Sequence, residues 1–111
     1  MKELKIDLKA LRKWIIDNHI ESQILDCSEN AFQSYRIDNE EEFQCHFPLF
    51  EEEKLTKALY QVSLSIVCWR EDEQECIIAY VRFEYNHKHV GEYKLIYSLD
   101  GRIIDDYLKI E

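Results

Sequence analysis

The sequence predicts an α+β fold in which an N-terminal amphipathic helix packs on a curved antiparallel sheet of five or six strands. Two observations indicate this class. Apolar residues recur at helical spacing near the start, and from residue 31 onward β-branched and aromatic residues form runs separated by polar turns. A chain of 111 residues, 46% of them hydrophobic, supports one core but not two. We therefore expect residues 1–111 to form a single globular domain.

The helix is predicted to begin after Asp7, whose carboxylate can cap it. Leu8, Leu11 and Ile15 lie at helical spacing, and the pattern ends near Asn18. Residues 21–30 show no clear periodicity, so mostly loop is expected there.

Two strands are predicted next, residues 31–37 and 42–47, joined through residues 38–41. This pairing places Phe43, Cys45 and Phe47 on one side of a strand, and Pro48 interrupts the pattern. Residues 51–58 fit either a short helix or an irregular approach to the following strand.

The clearest unit is a hairpin over residues 59–85 with a four-residue loop at 71–74. Pairing Trp69 with Cys76 gives one entirely apolar face and one half-polar face. The apolar face comprises Tyr60, Val62, Leu64, Ile66, Cys68, Ile77, Ala79, Val81, Phe83 and Tyr85. Val67, Trp69, Cys76 and Ile78 make up the apolar end of the other face, which needs a cover.

A last hairpin is predicted around Asp100 and Gly101, a dipeptide favoured in two-residue type I′ turns. Pairing Leu99 with Arg102 makes Asp106 the one charge on an otherwise apolar face, an unusual carboxylate, whereas Asp105 faces the other way. An alternative remains open, because the apolar residues of 103–108 also recur at helical spacing.

The charge distribution restricts the class of partner. The formal net charge is −9; residues 1–13 carry five cations against two carboxylates, which leaves −12 on the rest. An acidic body repels nucleic-acid phosphates and anionic membranes, so we expect neither as a partner. No signal or membrane segment is recognisable, and a cytoplasmic location is expected. The four cysteines lack Cys-x-x-Cys spacing and are predicted to be free thiols.

No pattern of residues demands chemistry. His87 and His89 would share one side of an extended chain, but no third metal ligand accompanies them. Cys45 and His46 are neighbours, which point to opposite faces of a strand. Phosphate loops and nucleophile elbows are lacking. We therefore predict no catalytic residues, no metal site and no cofactor. A binding protein is favoured over an enzyme.

The candidate partner-binding surface combines an aromatic anchor with a charged rim. Tryptophan and tyrosine are enriched at binding hot spots, and complementary charge speeds association with a basic partner. The candidate residues are Val67, Trp69, Glu71, Asp72, Glu73, Ile78 and Tyr80. Two alternatives stay open: the helix or the first strands cover the apolar part, and the acidic runs are solvated loops that protect strand edges.

The leading hypothesis is a non-catalytic acidic module that binds a basic protein. In size, acidity and predicted fold class the chain resembles bacterial immunity proteins and phage-encoded inhibitors of host defences, which implies an inhibitor. One alternative is a small-molecule pocket between helix and sheet, lined by Trp14, Tyr60, Phe83 and Tyr97. Another is a small hydrolase that uses Asp105 or Asp106 with the two histidines. The oligomeric state stays open.

Overall fold

The computed structural model describes residues 7–111 as three helices followed by a four-stranded antiparallel sheet in the order β1-β2-β3-β4. The α+β class is confirmed. The prediction of five or six strands is wrong, because two predicted strands are helical. The elements are α1 (Leu8–Asp17), α2 (Ile20–Asp38), α3 (Glu40–His46), a 3-10 turn (Glu52–Lys54), β1 (Leu55–Val67), β2 (Gln74–Tyr85), β3 (Lys88–Ser98) and β4 (Ile103–Ile110).

Helix α1 begins and ends where the sequence predicted. The Asp7 carboxylate accepts a hydrogen bond from the Ala10 amide at 3.1 Å, and Asn18 caps the C-terminus. Leu11 and Ile15 pack against the core, whereas Leu8 stays exposed. Residues 1–6, which carry part of the basic N-terminal segment, lie outside the described residues.

Helix α2 occupies the region predicted as a loop and a strand. Its buried stripe is Ile20, Ile24, Ser28 and Phe32, four residues apart throughout. Ser28 interrupts the apolar pattern but satisfies its hydroxyl by donating to the Leu25 carbonyl oxygen at 2.8 Å. Burial of this stripe over the sheet outweighs the strand propensity of the aromatic residues after Ala31.

Helix α3 replaces the predicted strand 42–47, and it changes which residues share a side. Phe43 and Phe47 are buried, whereas Cys45 is exposed on the opposite side of the helix. The two rings join Phe32, Phe50 and Phe83, so all five phenylalanines of the chain form one cluster that Tyr85 completes. This aromatic cluster closes one end of the helix–sheet interface.

The β1–β2 hairpin forms with a longer loop than predicted, residues 68–73, and a register shifted by four. Cys76 pairs with Ser65, so the pairing of Trp69 with Cys76 is wrong. Because four is even, Leu64 and Ile66 still share a face with Ile77. A bulge between Leu59 and Gln61 turns Tyr60 away from the core, leaving it 65% exposed. Cys68 lies in the loop, outside the predicted apolar face.

Each of the other two hairpins uses a turn that the sequence did not indicate. Asn86 and His87 both have positive φ, as a two-residue type I′ turn requires. At the last hairpin only Gly101 has positive φ, and the Ser98 amide donates to the Arg102 carbonyl oxygen at 2.8 Å. That loop therefore has three residues instead of the predicted two. Residues 103–110 are a strand, and the helical alternative is wrong.

The core lies between the helices and one face of the sheet, here called the inner face. Ala79, Val81, Phe83, Tyr93 and Tyr97 of this face are buried under α2 and the aromatic cluster. The opposite, outer face carries no helix from the described part of the chain. Within residues 7–111, no helix has the length and apolar character needed to cross a membrane.

Candidate functional site

The predicted surface lies at the free end of the β1–β2 hairpin, residues 64–75, called here the hairpin tip. The pairing of β2 with β3 ends at Cys76 and Ser98, so the tip extends past β3. A surface cavity lies between helix α1 and residues 59–62 of β1. Beyond those residues Leu64 and Ile66 point from the inner face into solvent, 62% and 52% exposed. The tip thus presents apolar side chains that no described helix covers.

The two tryptophans of the chain differ in their environment. The Trp14 indole N–H donates to the Leu99 carbonyl oxygen at 3.0 Å, and its ring meets Tyr97 edge to face at 5.6 Å. Trp69 is 62% exposed in the hairpin loop. Between residues 7 and 111 its indole has neither a hydrogen bond nor an aromatic partner. Trp14 is therefore a structural residue, and Trp69 is available for contact.

The loop of the tip combines backbone strain with negative charge. Cys68 and Arg70 have φ of 57° and 69°, in the left-handed region that non-glycine residues rarely adopt. The Arg70 amide donates to the Glu73 carboxylate at 2.8 Å, which fixes the turn. Residues 70–75 carry four carboxylates against one cation, a net charge of −3. The exposed indole therefore lies in an acidic loop.

The remaining candidate residues lie on the outer face, Val67 within the tip and Ile78 and Tyr80 behind it. Val67 and Tyr80 are half-buried, and Ile78 is only 8% exposed between Ser63 and Ile96 of the neighbouring strands. The structure thus brings Val67, Ile78 and Tyr80 onto one face, and places Trp69, Glu71, Asp72 and Glu73 in the loop beyond them. The loop residues are therefore more exposed than the residues of the outer face.

Asp106 pairs with Leu95 as predicted and is exposed at the rim of the inner face. Its carboxylate accepts a hydrogen bond from the Tyr93 hydroxyl at 2.7 Å. Burial, followed by this bond to a carboxylate, raises the pKa of Tyr93 well above its usual value. Burial also raises the pKa of the nearby Cys27 thiol. Asp106 thus satisfies a buried hydroxyl, and a thiol with a raised pKa is a weak nucleophile.

Asp105 has a separate environment on the outer face. It accepts a hydrogen bond from the Tyr107 hydroxyl at 2.9 Å, and the Lys94 ammonium lies 4.9 Å from the centre of the Tyr107 ring. The two adjacent aspartates therefore do not form a carboxylate pair.

The histidines lie apart from both aspartates. His87 occupies the β2–β3 turn, and His89 lies 3.4 Å from the carboxylate of Glu111. Asp106 pairs six residues further along β3. Residues 7–111 contain no group of three or more His, Cys, Asp or Glu side chains arranged to hold a metal ion. All four cysteines are free.

The four aromatics of the predicted small-molecule pocket do not meet around one space. Phe83 and Tyr97 are fully buried in the core. Tyr60 faces the other side of the sheet, beneath the Arg82 guanidinium at 5.6 Å. Trp14 closes the end of the interface near Leu99.

A surface groove that the sequence did not predict lies beside the aromatic cluster, with a volume of about 770 Å³. Six of its nine lining residues are apolar, so the floor is largely hydrophobic. They are Ile37, Phe43, Phe47, Pro48, Leu49 and Phe50; Arg36, Glu40 and Gln44 complete the lining. Spacing could have found it: Phe43 and Phe47 are four residues apart, as two residues on one face of a helix are.

Comparisons of the chain with protein families, with curated proteins and with solved structures found no match. Function must therefore be argued from the surface features of this structure.

Proposed function

We propose that this protein is a non-catalytic, acidic binding module that engages a protein with a basic surface through the hairpin tip, and that it acts as an inhibitor of the immunity or anti-defence type. The observation that carries the proposal is the exposure of Trp69, 62%, at the end of a hairpin with net charge −3 over residues 70–75. Large aromatic side chains at interfaces act as anchors, and their exposure in a free protein is unfavourable.

Charge and strain support the same surface. The carboxylates of Glu71, Asp72 and Glu73 lie in the same loop as Trp69 and would attract a lysine- or arginine-rich surface. Cys68 and Arg70 adopt left-handed conformations that strain the loop, and local backbone strain is common in binding segments. Leu64 and Ile66 extend the contact area along the strand.

The proposal is tested by co-purification of the tagged full chain from its native host, followed by mass spectrometry and measurement of Kd. A stoichiometric basic protein is expected. Trp69→Ala should weaken its binding by about 2 kcal/mol or more, roughly thirtyfold in Kd. Reversal of Glu71, Asp72 and Glu73 to lysine should lower the association rate and its salt dependence.

Tyr60→Ala is the matched control, since Tyr60 is an equally exposed aromatic residue of the same hairpin but lies on β1, outside the tip. Its Kd should stay at the wild-type value. If Trp69→Ala bound as tightly as Tyr60→Ala, or if only a metabolite co-purified, the assignment would be wrong.

A further inference from the structure

We propose that the groove beside the aromatic cluster is a second docking site, for a linear peptide segment in which one or two apolar residues are flanked by lysine or arginine. This site is independent of the hairpin tip. The groove is lined by residues of α2, α3 and the segment Phe47–Phe50, whereas the tip belongs to β1 and β2.

Apolar side chains are exposed at the groove. Ile37 is 75% exposed at the end of α2 and Leu49 is 94% exposed after α3. Behind them, the rings of Phe43 and Phe47 are buried and form a rigid floor. The volume of the groove, about 770 Å³, lies in the range of sites that enclose a ligand.

Leu49 has an unfavourable backbone conformation. Its φ is 56°, in the left-handed region where a leucine is unfavourable. Pro48 fixes the backbone just before it. Almost all of the Leu49 side chain is in water. A leucine at this position therefore stabilises the isolated fold no more than a glycine or an asparagine would. Such local strain is typical of binding segments.

The negative charge around the groove favours a cationic peptide as its occupant over a second copy of this chain. Residues 36–54 carry seven carboxylates against two cations, a net charge of −5 with His46 neutral, more than half of the −9 of the whole chain. Arg36 is paired with Glu52 at 3.1 Å. Asp38, Glu40 and Glu41 form no ion pair with another residue of the described part of the chain. A cationic segment complements this rim, whereas a second copy of this acidic chain would be repelled.

The groove already accommodates a guanidinium. Arg36 places its guanidinium carbon 5.3 Å from the ring centre of Phe43 and 5.0 Å from that of Phe50. Arg36 itself covers these two rings, so an arginine of the partner would meet the carboxylates of the rim, Asp38, Glu40 and Glu41. The flat, charged fork of arginine therefore suits the flanking positions of the segment.

The test uses the full chain and a fluorescein-labelled synthetic peptide, Lys-Arg-Leu-Phe-Lys-Arg, followed by fluorescence anisotropy and amide NMR shifts. Saturable binding is expected, with shifts confined to residues 36–50 and weakening at high salt. Leu49→Asn should raise Kd about tenfold or more. Asparagine tolerates the left-handed conformation, so this variant should fold. Ile37→Gln, on the exposed side of α2, is the second variant.

Two controls separate this site from the hairpin tip. Leu99→Asn removes an exposed leucine elsewhere, and Trp69→Ala removes the anchor of the tip; both should bind the peptide as the wild type does. The proposal is overturned if Leu49→Asn binds equally, if a peptide with Ser-Ser in place of Leu-Phe binds as tightly, or if nothing binds by about 1 mM. Sedimentation that revealed self-association lost in Leu49→Asn would make a second copy the occupant and overturn it too.

Discussion

The two ends of the molecule combine apolar side chains and carboxylates in opposite ways. At the aromatic cluster, Phe32 and Phe83 are fully buried and the groove is what remains open at the edge of a packed layer. At the hairpin tip, Trp69 and Leu64 are both 62% exposed and no packed layer lies behind them. The aromatic cluster therefore stabilises the fold and also exposes a groove, whereas the hairpin tip exposes side chains without forming part of the core.

The largest effect should come from Phe32→Ala. The Phe32 ring contacts four other phenylalanine rings at centroid distances of 5.3–6.0 Å, and truncation would leave a cavity. We expect the free energy of unfolding to fall by about 3–5 kcal/mol, measured by urea denaturation. A loss below about 1 kcal/mol would mean that the cluster is not a packed core, and the contrast between the two ends would fail.

An intermediate effect is expected from alkaline pH, and it tests the core between the two ends. Burial raises the pKa of both Tyr93 and Tyr97. Above the unfolded tyrosine pKa of about 10, the unfolded chain loses protons that the folded chain keeps, so stability falls as pH rises, by up to about 1.4 kcal/mol per pH unit for each tyrosine. Below that pH both states keep these protons and the contribution is constant.

Tyr93→Phe and Tyr97→Phe should each remove one tyrosine's contribution to the fall of stability with rising pH. Thermal unfolding between about pH 8 and 11 measures this. Tyr93→Phe also leaves Asp106 without its hydroxyl donor. An alkaline slope unchanged in the double variant would show that other groups cause it.

The smallest effects should come from the exposed residues of the two surfaces. Trp69→Ala should change the free energy of unfolding by less than about 0.5 kcal/mol, because the side chain is not packed. Leu49→Gly should leave it unchanged or raise it by up to about 1 kcal/mol, because glycine relieves the left-handed strain. Chemical denaturation of both variants beside the wild type measures this, and a loss above about 2 kcal/mol would place either residue in the fold.

The strands were predictable and most of the helical half was not. The alternation of apolar and polar residues identified most of the inner face of β1 and β2, even where the register was shifted by four, but it wrongly included Tyr60 and Cys68. Phe43 and Phe47 misled because a spacing of four suits both a helix face and a strand face. In α2, the polar Ser28 occupies a buried position and interrupts the apolar period that would have indicated a helix. Long-range packing, which no local pattern contains, decided both cases.

The candidate site divides in the same way. The hairpin tip was predictable because Trp69 and the acidic run are neighbours in the sequence. The groove was not, because Ile37 and Leu49 come together only when α2 and α3 are helices. Turn chemistry set a further limit: Asn86 and His87 adopt the conformation that the sequence suggested for Asp100 and Gly101, without a glycine to signal it.

The bulge at Tyr60 changes the direction of the hairpin tip from the one that a regularly paired hairpin would have. On one side of it Leu59 pairs with Val81, and on the other Gln61 pairs with Tyr80, so β1 contains one residue more than its partner needs. Tyr60 is the residue of β1 whose deletion would leave every pair in that hairpin intact. Because a bulge increases the local twist of a strand, the extra residue affects the angle at which the hairpin tip projects from the sheet. Deletion of Tyr60 alone would therefore change the direction of the hairpin tip without changing the number of its strand pairs.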